Sequence, residues 1–242
     1  MTLYLSIDTA TDLGSVAVGE PGSARAEIMF SDRRHASALA PAVEECLRIA
    51  GATAQDLSGI LIADGPGSFT GLRIGLATVK GILAVHDSLD LYTAPSLLAA
   101  GWIALQHGGG PVAVLYDAYR SEVFGAVYDV DGGAVREVLA PVCRSIDDLI
   151  ERVEVKPRVA VGDGATLYAD RIREWTGAEP IGPPTGGPRA SALLELMQID
   201  GGVMRVLDPD SFAPTYGRQA AAQDRWEEAH GRRLPDSPSH RS

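Results

Sequence analysis

Apolar and polar positions along this chain follow two rhythms. Period-two alternation predicts strands at Tyr4–Thr9, Ser15–Gly19 and Ala24–Phe30, the last two joined by a Glu20-Pro-Gly-Ser23 turn, which makes a three-stranded meander. A helical rhythm follows over about Ser37–Ala50, with Leu39, Val43, Leu47 and Ala50 on one face and Gly51 as its stop. Glu44 and Arg48 are spaced as an exposed i,i+4 pair, and Pro41 must lie in the first turn or bend the helix. An apolar run, Gly59-Ile-Leu-Ile-Ala63, then leads into Gly65-Pro-Gly-Ser-Phe-Thr-Gly-Leu-Arg-Ile-Gly75 and a helix reaching about His86. Leu91–Ala94 is a further strand, and Ser96–His107 a helix ended by Gly108-Gly-Gly-Pro111.

After Pro111 the pattern starts again. Val112-Ala-Val-Leu-Tyr-Asp117 repeats Leu3-Tyr-Leu-Ser-Ile-Asp8, Val123–Tyr128 repeats Ser15–Val18, and Ala134–Leu139 repeats Ala24–Phe30. A helix at Ile146–Val153 and a strand ending in a glycine turn, Arg158–Gly164, complete the copy. The offset is about 110 residues at the first strand and about 100 at the glycine turn. Two copies of β-β-β-α-β-α predict an α/β protein with mixed sheets and a two-lobed, actin-like architecture, the class shared with sugar kinases and heat-shock chaperones. Expected units are residues 1–108, 109–217 and a polar, disordered tail at 218–242.

Composition narrows the class. Apolar residues make up 45% and charged residues 22%, as in an ordinary globular protein, and no apolar window reaches the length of a membrane span. No secretory leader is recognisable, and Cys46 and Cys143 stand outside any CxxC arrangement, so a reducing cytoplasm without a disulfide is expected. The formal net charge is −11, which argues against unaided binding of nucleic acid. The segment 218–242 holds five Arg against two Asp and two Glu, so the acidic character lies in the body.

Candidate chemistry centres on Gly65–Gly75. A strand, glycine turn and helix start can present backbone N–H groups to an anion, with Ser68 as N-cap. Asp8, Gly65, Gly67, Ser68, Phe69 and Thr70 are therefore the candidates for an anion or nucleotide contact. The stretch fits neither a P-loop, since Thr70 stands at the second glycine and no Lys follows, nor the dinucleotide fingerprint. Asp8 and Asp117 end equivalent strands and could face an inter-lobe cleft, although Asp8-Thr-Ala-Thr11 lacks phosphate-wrapping glycines. Against that stands a carboxylate that merely caps a turn. The five His lack metal-site spacing, and no serine nucleophile elbow occurs, so neither a catalytic residue nor a metal site is expected.

The helix after the turn carries Gly71, Gly75 and Gly81, which together forgo about 3 kcal/mol relative to Ala. Gly71, Gly75 and Thr78 share a face flanked by Ile74 and Ile82. Such a face can pack on the chain's own sheet or accept a partner helix. The candidate partner interface is Leu39, Val43, Gly71, Ile74, Gly75, Thr78, Val79 and Ile82.

Ile7-Asp-Thr-Ala-Thr11, Ser15-Val-Ala-Val18, His35, Leu39, Pro41 and above all Gly65–Gly75 resemble the TsaB (YeaZ) family. Asp117-Ala with Glu122-Val123, Val161-Gly-Asp-Gly164 and Pro214-Thr-Tyr216 resemble its later landmarks, over about residues 1–218. Gly217-Arg218 departs from the Leu-Arg usual there. The resemblance implies a non-catalytic scaffold or activator that pairs, through helices of its first lobe, with a TsaD-like paralogue. That partner transfers threonylcarbamoyl to N6 of adenosine 37 in tRNAs reading codons that begin with A. It further implies a TsaE-like ATPase in the assembly, a possible homodimer, tRNA contact through the complex, and no cofactor on this chain alone, with ATP or ADP possible in the complex. The alternative is a stand-alone enzyme of the actin-like superfamily, either an ATP-dependent small-molecule kinase or a metal-dependent peptidase.

Overall fold

The computed structural model describes residues 2–31, 35–86 and 88–218, with the backbone alone for 35 and 36. The first half runs β1 (Leu3–Asp8), β2 (Leu13–Glu20), β3 (Ser23–Ser31), α1 (His35–Ala50), β4 (Leu57–Ala63), α2 (Phe69–Leu83), β5 (Asp90–Ala94) and α3 (Ser96–Gln106). The second runs β6 (Val112–Asp117), β7 (Val123–Asp131), β8 (Ala134–Arg144), α4 (Ile146–Glu151), β9 (Val159–Val161), α5 (Asp163–Leu167), α6 (Ala169–Thr176), α7 (Ala190–Leu196) and β10 (Met204–Val206).

The repeat is borne out strand by strand. One sheet has the order β10-β5-β4-β1-β2-β3 and the other β8-β7-β6-β9. In each, the meander pairs antiparallel and its first strand pairs parallel with the strand after the helix, β1 with β4 and β6 with β9. This is the mixed-sheet, actin-like plan, given twice.

Strand alternation sorts β1 onto two cores. Leu3, Leu5 and Ile7 pack beneath α1 and α2 with Leu39, Val43, Cys46 and Val79. Ser6 turns to the opposite face, where its hydroxyl donates to Ala190 O at 2.8 Å. That second core, with Trp102, Tyr116, Tyr128 and Leu193, is continuous across both sheets. α3, apolar on nearly all sides, is buried within it, the environment such a helix requires.

The second half of the chain also returns to the first sheet. β10 pairs antiparallel with β5, and α7 packs on β1, β2 and β3. Ser15 Oγ accepts from Ala190 N at 2.8 Å, while Glu27 accepts from Ser191 N at 3.0 Å and pairs with Arg189 at 2.7 Å. The boundary expected near residue 108 thus separates the two meanders, but α7 and β10 lie against the first sheet, while Asp200 between them bridges to Ala134 of β8 in the second.

Smaller expectations shift too. α1 begins at His35, so Pro41 sits beyond its first turn, and Arg48 pairs with Glu45 rather than Glu44, at 2.6 Å. α2 ends at Leu83, short of His86. The two cysteines are free, Cys46 buried and Cys143 half-buried. The expected tail lies outside the described residues except for Arg218.

Candidate functional site

The Gly65–Thr70 turn is closed by its own chain. Ser68 caps α2, its Oγ accepting from Gly71 N at 3.2 Å, as the sequence predicts. Two more groups of the turn are engaged: Gly65 N–H donates to Ser96 Oγ at 2.9 Å, and Ser68 N–H to Ala10 O at 2.6 Å. Gly67 lies so close to Ala10 O that a Cβ there would collide with it. Phe69 and Thr70 are exposed, with the Arg73 guanidinium 5.2 Å above the Phe69 ring.

Asp8 does not join them. Its side chain shares the Ser6 face of β1, turned to the inter-sheet core, whereas the next residue, Thr9, meets α2 through a bond from its hydroxyl to Gly71 O of 2.8 Å. Asp8 is fully buried; Oδ1 accepts from Ala10 N at 3.0 Å and Oδ2 has no hydrogen-bond partner among the described residues. Burial pushes its pKa up to about 7, against the opposing Ala10 hydrogen bond. Asp117 spends its carboxylate on Tyr119 N at 2.8 Å, and its N–H donates to Asp163 Oδ1 at 3.0 Å. Of the two carboxylates expected to face a cleft, one is therefore buried and the other engaged in a turn.

Sequence reasoning missed a second acid, half-buried, at the matching strand end. Asp64 follows β4 as Asp8 ends β1, and burial raises it to about 7 as well, against a hydrogen bond from Thr93. Its equivalent after β9, Asp163, is shifted up by burial too. The signal was available: β1 and β6 end in Asp, β4 is followed directly by Asp64, and β9 by Gly162-Asp163. Among the described residues no group of three His, Cys, Asp or Glu is placed to hold a metal.

The small-residue face of α2 needs correcting as a docking surface. Gly71 and Gly75 are buried against the chain's own β1–β2 turn, where a Cβ on Gly75 would come within 2.5 Å of Thr9 Oγ1. Leu39, Val43 and Val79 are core residues at 1%, 8% and 0% exposure. The cause is the β1–β2 turn, which crosses the first two turns of α2 and takes up the space the glycines leave. Ile74, Thr78 and Ile82 remain half-buried on the open side.

That open side is a groove between α1 and α2 of about 290 Å³, lined chiefly by Leu47, Thr78, Gly81, Ile82 and Val85, with Glu44 at its edge. Gly81 is exposed, and a Cβ added there would have nothing within 4 Å. Val85 is 71% exposed, an apolar side chain that none of the described residues covers. Among the expected interface residues, the structure brings Val43, Thr78 and Ile82 to this groove and adds Leu47, Gly81 and Val85. The sequence held part of that signal, since Leu47 and Gly81 stood in the helical pattern.

Known proteins share this layout. Residues 29–167 match the family described as TsaD, tRNA N6-adenosine threonylcarbamoyltransferase. The Bacillus subtilis tRNA threonylcarbamoyladenosine biosynthesis protein TsaB is 30% identical over 232 residues, 93% of this chain and 98% of that protein. A Pseudomonas aeruginosa crystal structure described as similar to peptidase YeaZ superposes with a TM-score of 0.72 at 27% identity, over 90% of this chain and all of that one. The ADPNP-bound activator of 2-hydroxyisocaproyl-CoA dehydratase from Clostridium difficile shares the fold, with a TM-score of 0.50 at 11% identity, over 79% of this chain and 93% of that one.

Proposed function

The chain belongs to the TsaB family of tRNA threonylcarbamoyladenosine biosynthesis proteins, within the wider TsaD-type family, and on that premise we propose that it is a subunit without a complete active site of its own. It docks on a TsaD-like paralogue, and that paralogue carries out threonylcarbamoyl transfer to N6 of adenosine 37. The observation that carries the reading is the uncovered apolar groove between α1 and α2, with Val85 exposed at its end. Solvent-facing apolar surface of this kind marks a partner site. The sealed Asp8 supports the non-catalytic half of the proposal, because a buried neutral carboxyl is a poor holder of a metal-bound phosphate. A TsaE-like ATPase, any nucleotide and tRNA enter through the complex, in the cytoplasm.

Gly81→Glu tests the interface. Open space around Gly81 lets the variant fold, while its carboxylate projects into the groove. Co-purification with the TsaD-like paralogue is expected to fall at least about tenfold, since seating an unpaired charge in an apolar contact costs more than the roughly 1.4 kcal/mol that a factor of ten represents. Gly81→Ala should bind as the parent does. Unchanged capture of the Glu variant would remove this docking face, and loss of self-association alone would reassign the groove to a second copy.

A further inference from the structure

One segment without regular structure touches both sheets. After β10 the chain passes back across the Gly65 turn as a strap, residues 212–218. Thr215 N–H donates to Asp64 O at 2.7 Å, and Thr215 O lies directly over Gly65. The Tyr216 ring packs against Phe69, the first residue of α2, tilted by 41° with the ring centroids 4.6 Å apart. The Gly217 backbone runs between Pro66 and Phe124. Arg218 donates to Ala118 O at 2.9 Å and pairs with Glu122, both in the β6–β7 turn. That turn holds three successive residues in the left-handed region, Tyr119, Arg120 and Ser121, at φ 59°, 54° and 63°. None is glycine, so the conformation persists through the contacts around it.

We propose that residues 215–218 form a clasp that opens and closes as one unit while both sheets stay folded, linking the first turn of α2 to the β6–β7 turn. Two observations point to separate opening. Among the described residues, a single main-chain hydrogen bond, from Thr215, ties the strap to the body. Phe212 and Pro214, at the start of the strap, pack into the body; beyond them the anchors are three partly exposed contacts strung along one line: the Tyr216 ring, Gly217 and the Arg218 head. Segments held this way open at free energies well below global unfolding. Opening uncovers the Gly65–Phe69 turn and releases the brace on Ala118 and Glu122. Because α2 also lines the groove described above, the clasp state bears on that helix. The proposal itself requires no partner.

The protein carries its own reporters. Cys143, half-buried, lies beside the Arg218–Glu122 pair, its Sγ 3.9 Å from Glu122, whereas Cys46 of α1 is fully buried with its thiol against Val16 O and Ala26 O. Labelling of the full chain with a disulfide reagent under native conditions therefore reads clasp opening at Cys143 and global opening at Cys46. Tyr216→Ala is the decisive variant, since it removes the contact with Phe69 and leaves the Arg218 end intact. Cys143 should react at least about tenfold faster with the Cys46 rate unchanged, and Arg218→Ala should give the same pattern. If Tyr216→Ala leaves the Cys143 rate unaltered, the two ends move independently and the clasp is refuted. A parallel rise at Cys46 refutes it too, because opening would then be global.

Discussion

Asp8 shows what one buried carboxyl does to a protein of this kind. Its folded-state pKa of about 7 stands above the unfolded value of 3.8, so between those pH values the folded chain keeps a proton that the unfolded chain gives up. The sign follows directly: stability falls as pH rises through that window and levels off above about pH 7, with Asp64 adding in the same direction. An amide keeps the bond from Ala10 N and cannot ionise. Asp8→Asn should therefore match the parent near pH 4 and exceed it at pH 8, by on the order of 1–3 kcal/mol. Urea unfolding at the two pH values measures this; parallel pH profiles for the two proteins would show that Asp8 is ionised in the fold at little cost. The sequence placed Asp8 correctly at a strand end but could not say which way it faced. A strand's period of two separates its faces without telling which is the nucleotide side and which the core.

At the scale of the element, α2 contains glycines with opposite requirements. Gly75 is held against Thr9, whereas Gly81 faces open space. Gly81→Ala should stabilise the protein by about 0.5–1 kcal/mol through helix propensity and a less disordered unfolded chain. Gly75→Ala should destabilise it by about 1–3 kcal/mol, because the β1–β2 turn must shift to admit a methyl. Thermal unfolding of the two variants separates the cases, and equal shifts would contradict the packing described. The cost of three helix glycines was legible in the sequence; its cause was not. Helical periodicity finds the buried stripe of α1 and α2, namely Leu39, Val43, Gly71, Gly75 and Val79, but a stripe is equally apolar whether it covers its own sheet or a partner. The groove lies along the edge of that stripe, where Val43 and Leu47 of α1 meet Thr78, Gly81 and Ile82 of α2. Periodicity marks these positions as apolar or small without saying that they meet in an open groove.

Across the whole molecule, the internal repeat was readable because each copy repeats its own strand pattern and turn residues. The return of α7 and β10 to the first sheet was not, since a three-residue edge strand and a seven-residue helix say nothing locally about which sheet they join. That return decides how the protein unfolds. Leu193 and Leu194 are fully buried, and each such side chain contributes about 1.5–3 kcal/mol. Ser6, Ser15 and Glu27 all depend on residues 189–191 for partners, so removing the second half would leave buried polar groups unsatisfied as well as apolar surface exposed. With one core shared by both sheets, residues 1–108 expressed alone should lack a cooperative transition. The whole chain should unfold in a single step, with calorimetric and van't Hoff enthalpies agreeing. Two resolved transitions would mean that the sheets are independent units, each stable without the elements the other half supplies. Agreement of the two enthalpies would also fix how the clasp must be read, because its opening would then be a local event within one cooperative body rather than the parting of two lobes.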